Sequence, residues 1–179
     1  SLSRMGGADW QKKRSQVRTA VAEIAQELVV LYQARMSTVG RAFAGDTPWQ
    51  VEFEQSFPYQ ETPDQLAAII DVKEDMERPV PMDRLVCGDV GFGNTELAMR
   101  AAFKVAITGR QVAVLVPTTI LAEQHAQTFA ERFTPHALVV EVLSRFRTAK
   151  ARKAVIAAVA AGRVDVLVGT HRLLSEDVH

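Results

Sequence analysis

The chain has 179 residues, 47% of them apolar and 23% charged, enough for one domain with some extra chain and a sizeable core. Its 21 basic and 21 acidic residues cancel, which excludes a global field drawing it to nucleic acid; any DNA site must be a local patch. A single cysteine, Cys87, excludes internal disulfides, and no stretch has the length of a membrane span or the form of a signal peptide, so a cytoplasmic protein with no membrane partner is expected.

The first predicted element is a long helix over about residues 8 to 36, with Asp9 as its N-cap. Trp10, Val17, Val21, Ile24, Leu28 and Leu31 form one apolar stripe along it. Lys12, Lys13, Arg14 and Arg18 crowd its first turns, where the helix dipole disfavours cations. An anionic neighbour, an upstream segment lying there, or a solvated basic face, the favoured reading, accounts for them. Gly6-Gly7 marks a break before this helix, and Gly40, Gly45, Asp46 and Pro48 read as a linker after it. The expected division is residues 1–47, helix and linker, and residues 48–179, an α/β domain.

From Phe57 onward helices and strands alternate. Pro63 to Met76 reads as a helix, with Thr62 as N-cap and Pro63 in the first helical position. Leu85-Val86-Cys87 is a short apolar strand, with Cys87 a small buried residue at its end. Helices are expected over Thr95–Ile107, Thr118–Phe133 and Thr148–Ala160, the last ended by Gly162. Strands are expected over Gln111–Val116, stopped by Pro117, and over Leu138–Leu143 and Val164–Val168. Such alternation implies a parallel sheet covered by helices on both faces, with ligands at the carboxyl ends of its strands. The loops after the strands should then share one edge of the sheet.

The run Gly88-Asp89-Val90-Gly91-Phe92-Gly93-Asn94-Thr95 carries the most chemistry. Gly, four residues, Gly, Lys, then Ser or Thr is the phosphate-binding pattern, confirmed when it lies between a strand and a helix. Here one position departs: Asn94 stands where lysine is expected. The glycines let successive N–H groups turn inward onto phosphate oxygens, and the following helix adds its positive end. The Thr95 hydroxyl would ligate Mg²⁺. Asn94 is short and neutral and cannot replace a lysine charge on the β- and γ-phosphates, so binding survives better than phosphoryl transfer.

A second set of residues follows the later strands. Thr118 and Thr119 open a helix, Thr170 sits in the turn Gly169-Thr170-His171, and Arg145 and Arg147 supply positive charge after Ser144. Hydroxyls and free N–H groups at helix starts contact phosphates without reading sequence. Simple helix capping explains the threonines equally well, and for His171 a bond to a backbone carbonyl is favoured over catalysis. The four histidines, His125, His136, His171 and His179, are scattered, so a histidine metal site is not expected.

The segments FPYQETPDQ, MDRLVCGDVGFGNTELAMRAAF, QVAVLVPTTILAEQH, SRF and GTHRLL resemble the first motor lobe of the bacterial transcription-repair coupling factors, which are superfamily 2 DNA translocases. The resemblance runs from about Trp10 to His179. It implies an incomplete P-loop, RecA-like lobe preceded by a long linking helix, and an ATP-dependent motor on double-stranded DNA that displaces stalled RNA polymerase and couples transcription to nucleotide excision repair. RNA polymerase and repair proteins would be met through regions outside this chain. It implies that Phe57 and Gln65 contact the adenine. Gly88, Asp89, Val90, Gly91, Phe92, Gly93, Asn94, Thr95 and Glu96 would bind ATP and Mg²⁺. Thr118, Thr119, Arg145, Gly169, Thr170 and His171 would hold DNA. The chain departs from that family at Asn94, and it contains no Asp-Glu box. It is therefore expected to be inactive alone. The fork-remodelling RecG-type helicases share the GDVG loop and are one alternative; a non-catalytic nucleotide-binding module is another.

Overall fold

A computed structural model describes residues 7–89 and 91–178; Gly6, Val90 and His179 lie outside the described residues. The described chain forms two compact units. One contains the helix α1, Ala8–Ser37, with the chain up to Ala42 and the segment Arg78–Asp83. Within it Gly40 donates to the Pro79 carbonyl at 3.0 Å, and Arg35 lies 3.4 Å from the Asp83 carboxylate. A Cβ at Gly40 would come within 2.5 Å of the Pro81 nitrogen, so only glycine lets these two backbones approach so closely. The N-cap is Gly7 rather than Asp9, which sits in the first turn, where its charge suits the helix dipole. The six residues of the predicted apolar stripe are 41–66% exposed.

The second unit holds the sheet. It comprises α2 (Pro48–Gln55), α3 (Pro63–Met76), α4 (Asn94–Ala106), β1 (Val112–Leu115), α5 (Thr119–Phe133), β2 (Val140–Leu143), α6 (Ala149–Ala160) and β3 (Val166–Gly169). The strands are parallel in the order β1-β3-β2, with Val112 and Val140 both opposite Val166. Such a P-loop-type α/β sheet flanked by helices is the architecture expected from the alternation. The capping residues do as their chemistry dictates: Thr62, Thr118 and Thr148 each accept a bond from the backbone three residues on, and Gln65 completes a capping box with Thr62.

Four expectations are corrected. Leu85–Cys87 is extended chain outside the sheet: no described strand pairs with it, Leu85 is 86% exposed and Cys87 is exposed. Apolar residues make a strand only where a neighbour completes the ladder. Pro48 opens a helix, α2, where a linker was expected; Thr47 caps it by accepting from the Gln50 N–H at 3.3 Å, and proline fits the first turn. The sheet is covered on both faces at β3 and β2 but on one face only at the edge strand β1. Val166 and Val168 of β3 join the core with Phe53, Phe103, Phe129 and Phe133, and Leu167 joins Val155 and Val159 of α6, whereas Leu115 of β1 is exposed. The glycine loop follows no described strand of the sheet and lines a cavity separate from the one formed after β1, β2 and β3.

The helical side is joined by buried charge. Arg100, 3% exposed, bonds Glu96 at 2.9 Å and Glu61, and lies 3.8 Å from Glu54. Arg132 of α5 bonds Glu96 at 3.0 Å and the Phe53 carbonyl at 2.9 Å. Lys104, equally buried, meets Asp46 at 3.0 Å and Glu77 at 2.9 Å, and Lys73 meets Asp46 at 2.6 Å. Burial favours the neutral form of Asp46, but hydrogen bonds and charges from Lys73 and Lys104 outweigh it and hold the carboxyl below its ordinary value. The Arg100 hydrogen bond lowers Glu61. At Lys104 burial is overcome by Glu77 and Asp46, which raise it.

Arg100→Ala would leave Glu96 buried with one partner fewer; a loss of roughly 3–5 kcal/mol is expected in urea unfolding. Removing the more exposed Arg84, paired with Asp71 and Asp75, should cost far less. Equal losses would contradict this account. The depressed Asp46 and Glu61 contribute stability that is present above the ordinary carboxylate values of 3.8 and 4.5 and is lost as pH falls through their folded values. The raised Lys104 contributes below 10.5 and loses its part as pH climbs through its folded value. Stability should thus be flat between 4.5 and 10.5 with respect to these groups. Asp46→Asn should flatten the acid limb, and an unchanged acid limb would refute the assignment.

Candidate functional site

Two cavities in the sheet-bearing unit collect the residues singled out by sequence. The first, about 300 Å³, is walled by Phe57, Glu61, Asp64 and Gln65 on one side and by Val86, Cys87, Phe92, Gly93 and Asn94 on the other. The glycine loop reaches it at the start of α4. Gly91 and Gly93 have φ of 85° and 79°, the left-handed region that glycine enters without strain. Phe92 donates to the Asp89 carbonyl at 3.1 Å, closing the loop as a turn. The loop then passes into α4 through bonds from Glu96 and Leu97 to the Gly93 carbonyl.

Gln65 ties the two walls together. Its amide nitrogen donates to the Phe92 carbonyl at 2.7 Å, and its amide oxygen accepts from the Thr62 N–H at 2.8 Å. A Cβ on Gly93 would stand 2.8 Å from that amide nitrogen. Asn94 turns its side chain back over the loop, with its amide nitrogen 3.5 Å from the Gly88 carbonyl. A Cβ at Gly88 would meet the Asn94 amide oxygen at 2.7 Å. At Gly93 the positive φ calls for glycine, and at both positions the close neighbours are the ends of flexible side chains, Gln65 and Asn94. Phe57 is half-buried, with the Arg100 guanidinium 5.4 Å and that of Arg132 5.9 Å from its ring centroid.

Glu96 has its carboxylate committed to Arg100 and Arg132 and is buried. Gly88, Asp89 and Gly91 lie along the exposed loop, and Thr95 is half-buried in the first turn of α4; none of these four is in the cavity wall. No cluster of three or more His, Cys, Asp or Glu suited to a metal occurs among the described residues. Main-chain N–H groups of such a loop suit an anion, and Asn94 supplies no positive charge to one.

The second cavity, about 590 Å³, lies where β1, β2 and β3 end. Pro117, Thr118 and Thr119 follow β1, Ser144 and Arg145 follow β2, Thr170, His171 and Arg172 follow β3, and Arg152 comes from α6. Thr118 caps α5 by accepting from the Leu121 N–H at 3.2 Å. Ser144, 2% exposed, donates to Glu123 of α5 at 2.6 Å and accepts from the Phe146 N–H, which fixes the loop carrying Arg145. Gly169 lies behind the wall: a Cβ there would come 2.8 Å from the Leu143 carbonyl, so glycine lets β3 and β2 close at this edge. Arg172 is paired with Asp177 through both guanidinium NH₂ groups. Arg152, Arg172 and the Ser144–Glu123 bond were not singled out from sequence. For Arg152 a signal existed, since the first turn of α6 has Lys150, Arg152 and Lys153 close by and no acid.

No described helix is long and apolar enough to cross a membrane. Residues 62–178 match the DEAD/DEAH box helicase model. The chain is 56% identical over 178 residues to the transcription-repair-coupling factors of Mycobacterium bovis and Mycobacterium tuberculosis, and 52% identical over 177 residues to that of Bacillus subtilis. These alignments take in 99% of this chain but only 14–15% of the relatives' length. A solved structure of RecG bound to a three-way DNA junction superposes on 83% of the chain, and 20% of that protein, with a TM-score of 0.77 and 34% identity. A hypothetical ATP-dependent RNA helicase from Sulfolobus tokodaii covers 74% of this chain and 38% of its own at a TM-score of 0.53 and 19% identity, a likeness of fold. With the family match running from the cap of α3 through both cavities to Val178, the chain belongs to the DEAD/DEAH box helicase family.

Proposed function

We propose that this chain is part of the first motor lobe of an ATP-dependent double-stranded DNA translocase of the transcription-repair-coupling type, and that Asn94 leaves it able to hold a nucleotide but not to turn it over. Such a motor displaces stalled RNA polymerase and brings repair proteins to the lesion through regions outside this chain, in the cytoplasm. Residues 1–47 would be the linking helix and linker, and residues 48–179 the lobe. One observation carries the reading: the glycine loop, at the start of α4, closes a cavity whose opposite wall is Phe57 and Gln65, while the ends of β1, β2 and β3 open on a second, arginine-bearing cavity.

ATP with Mg²⁺, when bound, supplies the phosphoanhydride whose cleavage drives such motors. The protein's part is to bind and orient. Main-chain N–H groups from Gly91 to Thr95 and the positive end of α4 receive the phosphates, and the Thr95 hydroxyl holds the metal. Phe57 offers a ring face to the base. Gln65 keeps the loop closed through Phe92 and retains a second amide hydrogen for the base. Lysine at position 94 would place a charge where phosphoryl transfer builds it; the amide of Asn94 cannot. At the other cavity Thr118, Thr119, Arg145, Thr170 and His171 would hold a strand by its backbone, without reading bases.

The likeness to RecG supports a second reading, a lobe of a fork-remodelling helicase. A static nucleotide-binding module is favoured only if Asn94 proves harmless to binding. Titration of a fluorescent ATP analogue with Mg²⁺ should show Asn94→Lys binding about 10- to 100-fold more tightly, the worth of a charge-assisted bond of roughly 1.5–3 kcal/mol. Equal affinities would overturn the role given to position 94. The unaltered chain should show no DNA-stimulated phosphate release in a coupled assay, and robust turnover would refute the proposed inactivity.

A further inference from the structure

We propose that Arg152 is a phosphate-binding residue of the cavity at the strand ends, taking the phosphodiester backbone of a nucleic-acid strand. The inference rests on the DNA-binding reading above and adds to it a residue from a different element, α6.

Arg152 is half-buried in the cavity wall, facing the residues that follow all three strands. One of its terminal nitrogens donates to the Arg147 carbonyl at 3.0 Å, which anchors the guanidinium to the loop behind Arg145. A guanidinium has five N–H donors in a planar fork, so this anchor leaves a pre-aimed set for an oxyanion. No described acid pairs with Arg152, whereas Arg172 in the same wall is matched by Asp177 through both carboxylate oxygens. Glu123 of α5 accepts from Ser144, which borders the same cavity.

The placement of Arg152 is unfavourable unless an anion answers it. Lys150, Arg152 and Lys153 sit near the N-terminus of α6, where the helix's own N–H groups are already positive, and that first turn holds no acid. A cation there costs stability in isolation. Beside the hydroxyls of Thr118, Thr119 and Thr170, it becomes part of a positive pocket in a chain of zero net charge. A phosphodiester suits that pocket better than a carboxylate, since hydroxyls, helix-start N–H groups and a fork-shaped cation converge on several oxygens at once.

The test is fluorescence anisotropy with a short fluorescein-labelled DNA duplex of mixed sequence over a series of KCl concentrations. Arg152→Gln keeps a donor for the Arg147 carbonyl and removes the charge; it should weaken binding and lower the slope of log affinity against log salt by about 0.9. Arg152→Lys should keep the slope, and Arg172→Ala, whose charge Asp177 already matches, should leave it unchanged. Thermal melting of each variant checks folding. An unchanged slope in Arg152→Gln, or an equal loss in Arg152→Lys, would make Arg152 a prop for its loop and overturn the inference alone. If the unaltered chain shows no salt-dependent binding, both the inference and the DNA-binding reading fall.

Discussion

The Arg100 guanidinium is the constraint on which the two cavities depend. A buried cation is tolerated only when its donors are matched, and Arg100 is matched by Glu96 of its own helix, Glu61 from the loop before α3 and Glu54 of α2. Glu96 in turn receives Arg132 from α5. This one cluster therefore sets the start of α4, where the glycine loop ends, against the helix whose first residue follows Thr118. It also places Phe57, whose ring lies beneath both guanidinium groups, on the wall of the first cavity. The stacked Phe53 and Phe103, 4.1 Å apart, seal the apolar side of the same junction.

Charge is distributed locally in a molecule with none overall. Several acids of the second unit pair with neighbouring lysines and arginines, Asp46 meeting both Lys73 and Lys104. Arg145 and Arg152 stand where the strands end, beside Arg172 with its partner Asp177. The glycine loop reaches its own cavity on chain that precedes the sheet and lies outside it, so the two cavities have separate walls, joined through α4 and α5.

Much of this was legible in the sequence, for definite reasons. Capping threonines and β-branched runs located α3, α5, α6 and the three strands within a few residues, because those signals act locally. Glycine spacing located the loop, and GTHRLL and PTTILAEQH pointed to the second cavity. What failed depended on partners far along the chain. Leu85–Cys87 has the composition of a strand but no described neighbour to bond with. Pro48 carries both a linker signal and a helix-start signal, and Thr47 decides in favour of the helix. Glu96 reads as part of a nucleotide motif, yet its carboxylate is claimed by Arg132, 36 residues later. Arg100, Lys104 and Gln50 lie on sequence positions that look solvated, and nothing local announces that they are buried.

The central claim is that the cavity beneath the glycine loop receives a nucleotide through main-chain groups despite Asn94. Backbone amide shifts of the ¹⁵N-labelled chain on adding ATP with Mg²⁺ test it most directly. The account predicts shifts at Gly91, Gly93, Asn94 and Thr95 together with Phe57, while Thr170 and His171 stay still. Shifts confined to the second cavity, or none at the loop with nucleotide in large excess, would contradict it.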